Sequence, residues 1–287
     1  MQELIIAIST TALFDLKEEK QKYKEEGEEL YYKHQLENQA NILKPGVGFN
    51  LIQKFLNLDA EMNIKVIVVS KNNVGSSIRI MNSIEYHKLN IQQSIWTTGQ
   101  DVVPFLKTFG VDLFISTNYQ DVADCLNNDI AAAHLMDYNV ERITGRLSIA
   151  FDGDSVLFSN ASEKIYKSGG VDEFNKHEIG KKDEILEDGP YRDLFEKLGQ
   201  LQKEVGKEDM VISLVTARSN KTMVRVINTL EKWGVQPTYA LFMCGEDKTP
   251  ALRALEVDMF FDDQFVHIQR ATSMGIPSAQ VVDGEVG

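Results

Sequence analysis

The sequence predicts an α/β fold: two tandem domains, each a parallel sheet covered by helices on both faces. Three observations predict it. Short apolar runs alternate with helix-length segments; the second half of the chain repeats the first; and 287 residues, 43% hydrophobic and 25% charged, suffice for two ordinary globular domains.

Taken in order, Glu3 to Ser9 (Glu-Leu-Ile-Ile-Ala-Ile-Ser) reads as a buried strand. From Leu16 to about Asn41 Lys and Glu interleave, the pattern of solvated helices. Leu51 to Leu58 has amphipathic helical spacing, and Ile64 to Ser70 is a second strand. Ser76 to His87 then reads as helix, Ile91 to Trp96 as strand, Val103 to Phe109 as helix and Asp112 to Ser116 as strand.

The repeat is explicit in the numbering. At an offset of 143, Ile6-Ala7 falls on Ile149-Ala150, Tyr23-Lys24 on Tyr166-Lys167, Gly27 on Gly170, Lys33-His34 on Lys176-His177 and Gly46 on Gly189. After a three-residue insertion the offset is 146, and Val69 falls on Val215, Arg79 on Arg225, Asn82 on Asn228, Pro104 on Pro250 and Val111-Asp112 on Val257-Asp258. An internal duplication is the expected origin, giving domains 1-140 and 141-287, joined near Asp137 to Thr144, each with a small helical cap insert.

The comparison also sorts residues. What recurs serves the fold; a polar residue present in one copy is a candidate for chemistry. Asp152 falls opposite Ser9, Asp154 opposite Thr11, Thr216 opposite Ser70, Lys248 opposite Val102, Asp262 opposite Ser116 and Asp263 opposite Thr117. One working site is therefore expected, in the second domain. The first is expected to be non-catalytic, with a scaffolding or dimer-like packing role that leaves a homo-oligomer open and a ligand crevice at Ser9, Thr11 and Ser70 conceivable.

Four segments carry the candidate chemistry, each after an apolar strand. In Ile149-Ala-Phe-Asp152-Gly153-Asp154, a strand-ending Asp on a turn that Gly153 leaves uncrowded can present one oxygen to phosphorus and the other to a cation, while Asp154 can protonate a leaving oxygen. The same tripeptide is also ordinary turn chemistry, and a calcium loop is excluded because its third ligand position would be Val156. In Val211 to Ser219, the Thr216 hydroxyl and the N–H groups from Ala217 onward make an anion site, or a plain helix cap. Lys248, at a strand-to-helix turn, can neutralise a carboxylate and a phosphate together, although a lone lysine is usually solvated. Asp262 and Asp263 end a further strand as hard oxygen donors suited to Mg²⁺, or as a solvated acidic turn. In an open parallel sheet the carboxyl ends of the strands converge on one crevice, so the four segments can meet.

This order and spacing resemble the haloacid-dehalogenase superfamily of phosphohydrolases, with its Rossmann-like domain. More closely, Ser9 to Phe14, Phe151 to Ser159, Leu214 to Ser219 and Phe260 to Gln264 resemble the cytosolic 5'-nucleotidase type I (IA/IB) family over essentially the full chain. The resemblance implies Mg²⁺-dependent hydrolysis of nucleoside 5'-monophosphates. It implies Asp152 as the phosphorylated nucleophile, Asp154 as acid/base, and Thr216 and Lys248 as phosphate holders with Gly153 and Ala217 beside them. The metal would sit among Asp152, the Asp154 backbone carbonyl, Asp262 and Asp263; the missing further acid after Asp263 leaves open which of the last two touches it. A helical cap from about Asn160 to Glu204 is expected to exclude water, and Phe158, Arg218 and Ser219 are expected to contact the nucleoside or gate its entry. Two alternatives stay open: a phosphatase of another small phosphomonoester such as a sugar phosphate, or a non-catalytic nucleotide-binding regulatory module.

A formal net charge of −13 argues against nucleic acid polymers and anionic membranes as partners. Cys125 and Cys244 fit thiols in a reduced compartment; with no leader pattern or spanning apolar run, the cytoplasm is expected. The five histidines lack metal-binding spacing, and Gly46-Val-Gly48 lacks the third glycine of a dinucleotide fingerprint.

Overall fold

The computed structural model describes residues 3–136 and 145–281, and the junction expected near 137–144 lies outside the described residues. The chain separates into two compact units, Met1–Asn57 with Met62–Val140, and Leu58–Glu61 with Glu141–Gly287. Each is an α/β unit of five parallel strands, and the described residues hold twelve α-helices.

In the first unit β1 (Glu3–Ser9), α1 (Thr10–Leu13), α2 (Lys17–Glu26), α3 (Glu28–Glu37) and α4 (Phe49–Leu56) precede β2 (Asn63–Ser70). Then come α5 (Ser77–Tyr86), β3 (Gln93–Trp96), α6 (Val103–Thr108), β4 (Leu113–Ser116), α7 (Tyr119–Leu126) and β5 (Ala132–Leu135). The strand order is β3-β2-β1-β4-β5. β1 lies at the centre because a strand buried on both faces must be apolar along its length, and Leu4, Ile6, Ala7 and Ile8 are fully enclosed. The helices and strands expected from sequence each form within a few residues of their expected ends; α7 and β5, not singled out in the sequence, complete the unit.

The second unit runs β6 (Leu147–Phe151), α8 (Ala161–Gly180), α9 (Arg192–Val205), β7 (Met210–Thr216), α10 (Met223–Trp233) and β8 (Tyr239–Phe242). It closes with α11 (Thr249–Ala254), β9 (Met259–Asp262), α12 (Phe265–Ser273) and β10 (Ser278–Gln280). Its strand order is β10-β9-β6-β7-β8. Register sets where the strands stop: Phe151 pairs with Leu214 on one side and Phe261 on the other, so β6, β7 and β9 end level. Phe151 stacks on Phe261 at 5.1 Å and meets Phe195 edge-on at 5.3 Å, an aromatic cluster that fixes this register from beneath.

The segment expected as one cap divides. α8 is a helix pair broken at Gly170, whose φ of 71° only glycine adopts freely. α9 instead belongs to the core: Leu194, Phe195, Leu198 and Leu201 are buried, and the Ile212 amide donates to Gln202 at 2.8 Å. An amphipathic helix with so wide an apolar stripe is stabilised by lying on a sheet rather than over an open crevice. Among the described residues no helix is long and apolar enough to cross a membrane.

Candidate active site

Level strand ends bring Asp152, Asp262 and Asp263 together, and Lys248, the residue before α11, reaches in among them. Asp152 follows β6 directly, and its amide donates to the Phe261 carbonyl at 2.8 Å, prolonging the pairing by one residue. The Lys248 ammonium, 2% exposed, lies 2.9 Å from Asp152 Oδ1 and 2.7 Å from Asp262 Oδ2. Oxygens of Asp152, Asp262 and Asp263 lie within 4.8 Å of one another. Three buried or half-buried carboxylates thus stand around one ammonium, an imbalance that a proton or a further cation would relieve.

Burial and these neighbours set how each group titrates. Burial pushes Asp152 up to about 7, with Asp262 and Asp154 adding to the rise and Lys248 opposing it. Burial, then the charges of Asp152, Asp262 and Glu163, push Asp263 up to about 8. For Asp262 burial also works upward, but Lys248 and His267 outweigh it and hold the carboxyl below the ordinary range. Burial works to deprotonate Lys248, and its two carboxylates overcome it, keeping it charged.

The two adjacent acids do different work. Asp262 spends both oxygens on the protein: Oδ1 accepts from the Gln264 amide at 2.8 Å, and Oδ2 meets Lys248 and, at 3.0 Å, His267 Nδ1. Asp263 Oδ1 is buried and has no hydrogen-bond partner. A hard divalent cation would supply what that oxygen lacks, so the donor set fits such an ion, with Asp263 the freer ligand and Asp262 the anchor of Lys248.

Gly153 sits where a Cβ would come within 3.2 Å of both the Thr216 hydroxyl and the Phe158 ring, so any larger residue would crowd the turn beside Asp152. Its amide donates to Asp152 Oδ1 at 2.7 Å. Thr216 is fully buried at the end of β7, and its Oγ1 accepts from the Arg218 amide at 3.2 Å; Ala217 between them is exposed.

Asp154 is not among the carboxylates that gather with Asp152. Arg218 clamps it with two hydrogen bonds, Nε to Oδ2 at 2.8 Å and Nη2 to Oδ1 at 2.6 Å. The third guanidinium nitrogen donates to Glu178 at 2.5 Å, and Glu178 also receives Arg225 at 2.8 Å and Ser162 at 2.9 Å. Arg218 is thus a buried cation between two carboxylates, lying over the Phe158 and Phe174 rings, not a side chain presented to a ligand. Phe158 is enclosed too, its ring 5.5 Å from Trp233, and offers no free face. Ser219 Oγ is buried without a partner.

Glu178 is the residue that sequence reasoning passed over. The signal was available: it stands opposite Gln35 at the offset of 143, a charge present in one copy only, as Arg218 stands opposite Asn72 at the offset of 146. His267 likewise gave no metal spacing because its role is to hold Asp262.

Comparison with known proteins agrees with the geometry. The profile of the 5'-nucleotidase family matches residues 1–286. The human protein cytosolic 5'-nucleotidase 1B is 31% identical over 290 residues, covering 95% of this chain and 48% of that protein. The chain thus spans about half the length of the curated relative it matches. No solved structure matches it. With the family match running from end to end and the carboxylates and lysine gathered at the ends of level strands, the chain belongs to the 5'-nucleotidase family.

Proposed function

We propose that the second unit is a Mg²⁺-dependent phosphomonoesterase that hydrolyses nucleoside 5'-monophosphates through an aspartyl-phosphate. The observation that carries the reading is Lys248 bridging Asp152 and Asp262, with the unpartnered Asp263 oxygen alongside. Asp152, Asp263 and the Asp154 backbone carbonyl would hold the ion, which when bound neutralises phosphate charge. Lys248 keeps Asp152 oriented and screens it from the approaching anion. Thr216 and the amides that follow receive the phosphate oxygens.

Asp152 attacks phosphorus, the P–O ester bond breaks, and the leaving nucleoside oxygen takes a proton from Asp154. Water then returns a proton to Asp154 and attacks phosphorus, freeing the Asp152 carboxylate and inorganic phosphate. Both Asp154 oxygens accept from Arg218, so Asp154 takes a proton from solvent and gives up one of those contacts before it protonates the leaving oxygen. Arg218 is a positioning residue in this scheme. α8, tied down through Glu178 and through the Ser155 hydroxyl that donates to Glu163 at 2.9 Å, is the cap.

The tandem duplication forms part of the same proposal. Its support is a set of contacts that recur at the expected offsets. The Leu43 amide donates to Ser83 at 3.0 Å and the Leu186 amide to Thr229 at 2.8 Å; Arg79 donates to the Asn41 carbonyl and Arg225 to the Glu184 carbonyl; Asn82 reaches Gln39 and Asn228 reaches Lys182. α2 and α3 part at Gly27 as α8 breaks at Gly170. The first unit is the non-catalytic copy. The human relative's name places it in the cytosol, which we carry over as the compartment proposed for this chain.

Phosphate release from a panel of nucleoside monophosphates and sugar phosphates, in Mg²⁺ and in EDTA, tests the reading. We expect nucleotides to be preferred and EDTA to stop turnover. Asp152→Asn should lose several powers of ten in rate while keeping the fold, as loss of a covalent nucleophile commonly does. An active Asp152→Asn variant would refute the mechanism, and a preference for sugar phosphates would refute the substrate class.

A further inference from the structure

Of the twenty residues of α8 only Ser162 and Glu178 are buried, whereas α9 encloses Leu194, Phe195, Leu198 and Leu201. The apolar burial that seats α9 is thus missing from α8, and Glu178 joins α8 to the core instead. Its Oε1 accepts from Arg225 of α10 at 2.8 Å and its Oε2 from Arg218, beyond β7, at 2.5 Å. Ser162, on the other arm of the helix pair, donates to the same Oε1 at 2.9 Å.

The first unit shows what the frame by itself requires. Arg79, which falls opposite Arg225, also has a carboxylate at 2.7 Å, but it is Glu19, and Glu19 falls opposite Ser162; the position opposite Glu178 holds the neutral Gln35. A carboxylate at either place therefore satisfies the retained arginine. What position 178 adds is a second oxygen that reaches Arg218. Arg218 and Asp154 have no charged counterparts in the first unit, where Asn72 and Thr11 stand opposite them and Asn72 Nδ2 donates to the Tyr31 hydroxyl at 3.2 Å. Asp154, Arg218 and Glu178 are thus missing as a set from the first unit, while the arginine that serves the frame is kept.

We propose that Glu178 is a positioning residue for Asp154, acting through Arg218; the inference rests on the reading of Asp154 as the acid that serves the leaving oxygen. Arg218 gives Nε and Nη2 to Asp154 and Nη1 to Glu178. A guanidinium held only by the carboxylate it orients would follow that carboxylate when it moves. Held by Glu178 as well, the planar fork keeps its direction, so Asp154 gives up one contact during turnover and returns to the same place. The Arg218 backbone is fixed separately, its amide donating to Thr216 Oγ1 at 3.2 Å and its carbonyl accepting from the Cys244 amide at 3.1 Å. What Glu178 decides is therefore where the side chain points, and not where the loop lies.

Nucleoside monophosphate turnover and thermal melts of the full chain test it on the wild type, Glu178→Gln and the double variant Ser162→Glu/Glu178→Gln. The double variant gives the second unit the arrangement of the first, a carboxylate at the position of Glu19 and an amide at that of Gln35. We expect Glu178→Gln to lower Tm and to lower kcat about tenfold to a hundredfold with KM within about twofold, since displacing a reacting group by about 1 Å costs on that order. The double variant should regain Tm and not kcat, whereas a purely structural role would return the two together. All rates are read well below the lowest Tm, so a double variant whose Tm does not recover is still judged on the kcat of folded protein. Wild-type kcat in folded Glu178→Gln, or kcat restored by the double variant, would overturn the inference and leave the nucleotidase reading standing. A wild type that releases phosphate from no phosphomonoester would remove that reading and the inference with it.

Discussion

Replacing Glu178 by Gln tests whether the buried ion network under the cap holds the second unit together. Glu178 is 1% exposed and accepts from Arg218 at 2.5 Å, Arg225 at 2.8 Å, Ser162 at 2.9 Å and His177 at 3.0 Å. Glutamine keeps the shape and one acceptor oxygen but sets an NH₂ against one of the guanidinium groups. Breaking a buried pair outright costs about 3–5 kcal/mol and losing a hydrogen bond to a charged group about 1.5–3 kcal/mol. Arg218 keeps Asp154, and Arg225 keeps the Glu184 carbonyl at 3.1 Å, so the lower figure applies, about 2–3 kcal/mol. That corresponds to a fall in Tm of roughly 4–12 °C. Trp233 reports this unit and Trp96 the other, so urea unfolding followed by fluorescence in a Trp96→Phe background isolates the effect. The pH dependence has a definite sign. Burial works to raise the Glu178 carboxyl, Arg218 and Arg225 outweigh it, and the folded value lies below the ordinary 4.5. Its stabilisation is therefore complete above about pH 4.5 and is lost as pH falls through the folded value. The gap between wild type and variant should be level from neutrality down to about pH 5 and close below that. A gap under about 0.5 kcal/mol at pH 7, or one that persists unchanged in acid, would refute the reasoning.

The same geometry sets three further outcomes. Asp263→Asn should abolish the rise in Tm that Mg²⁺ gives the wild type, and in EDTA at about pH 8 the variant should melt above the wild type, because the lost charge is one that burial and its neighbours disfavour; differential scanning calorimetry in both buffers reads the two signs. Lys248→Met leaves Asp152 and Asp262 without their ammonium and should cost several powers of ten in phosphate release together with about 3–5 kcal/mol in stability, read by activity assay and urea titration. Gly189→Ala places a Cβ 2.6 Å from the Val156 and Phe158 carbonyl oxygens, and the backbone shift this forces should cost about 1–3 kcal/mol, measured as a lowered urea midpoint.

The elements that sequence shows most plainly are those whose surroundings leave a residue no choice. Strand stretches enclosed on both faces are predominantly apolar, which is why β1, the second half of β2, β6 and β7 can be read from their composition. Asp152 and Asp262 are legible because each closes such a strand with a carboxylate where the other half has Ser9 and Ser116; Lys248, before α11, stands opposite Val102, and Thr216 ends β7 with a hydroxyl as Ser70 ends β2. What sequence does not carry is which partner a group finds across the packing. Arg218 lies 64 residues from Asp154 and 40 from Glu178, and nothing in spacing says that it closes on both. Phe158 comes after an acid pair as a ligand-contacting ring would, yet its shape is spent on Trp233. The periodicity of α9 marks an apolar face without saying that β7 rather than a crevice receives it.

Recurrence and its absence have one electrostatic cause. Arg79 and Arg225 hold matching carbonyls in the two halves, and each guanidinium also has its own carboxylate, Glu19 for Arg79 and Glu178 for Arg225. The carboxylates gathered at the ends of β6 and β9 have no counterpart in the first half, and buried carboxylates repel one another and are costly unless a matching cation is held. In the second unit Lys248 and Arg218 supply two such cations, and Asp263 Oδ1 is buried without a hydrogen-bond partner. In the first unit the hydroxyls of Ser9, Thr11, Ser116 and Thr117 stand at the matching positions and impose no such demand.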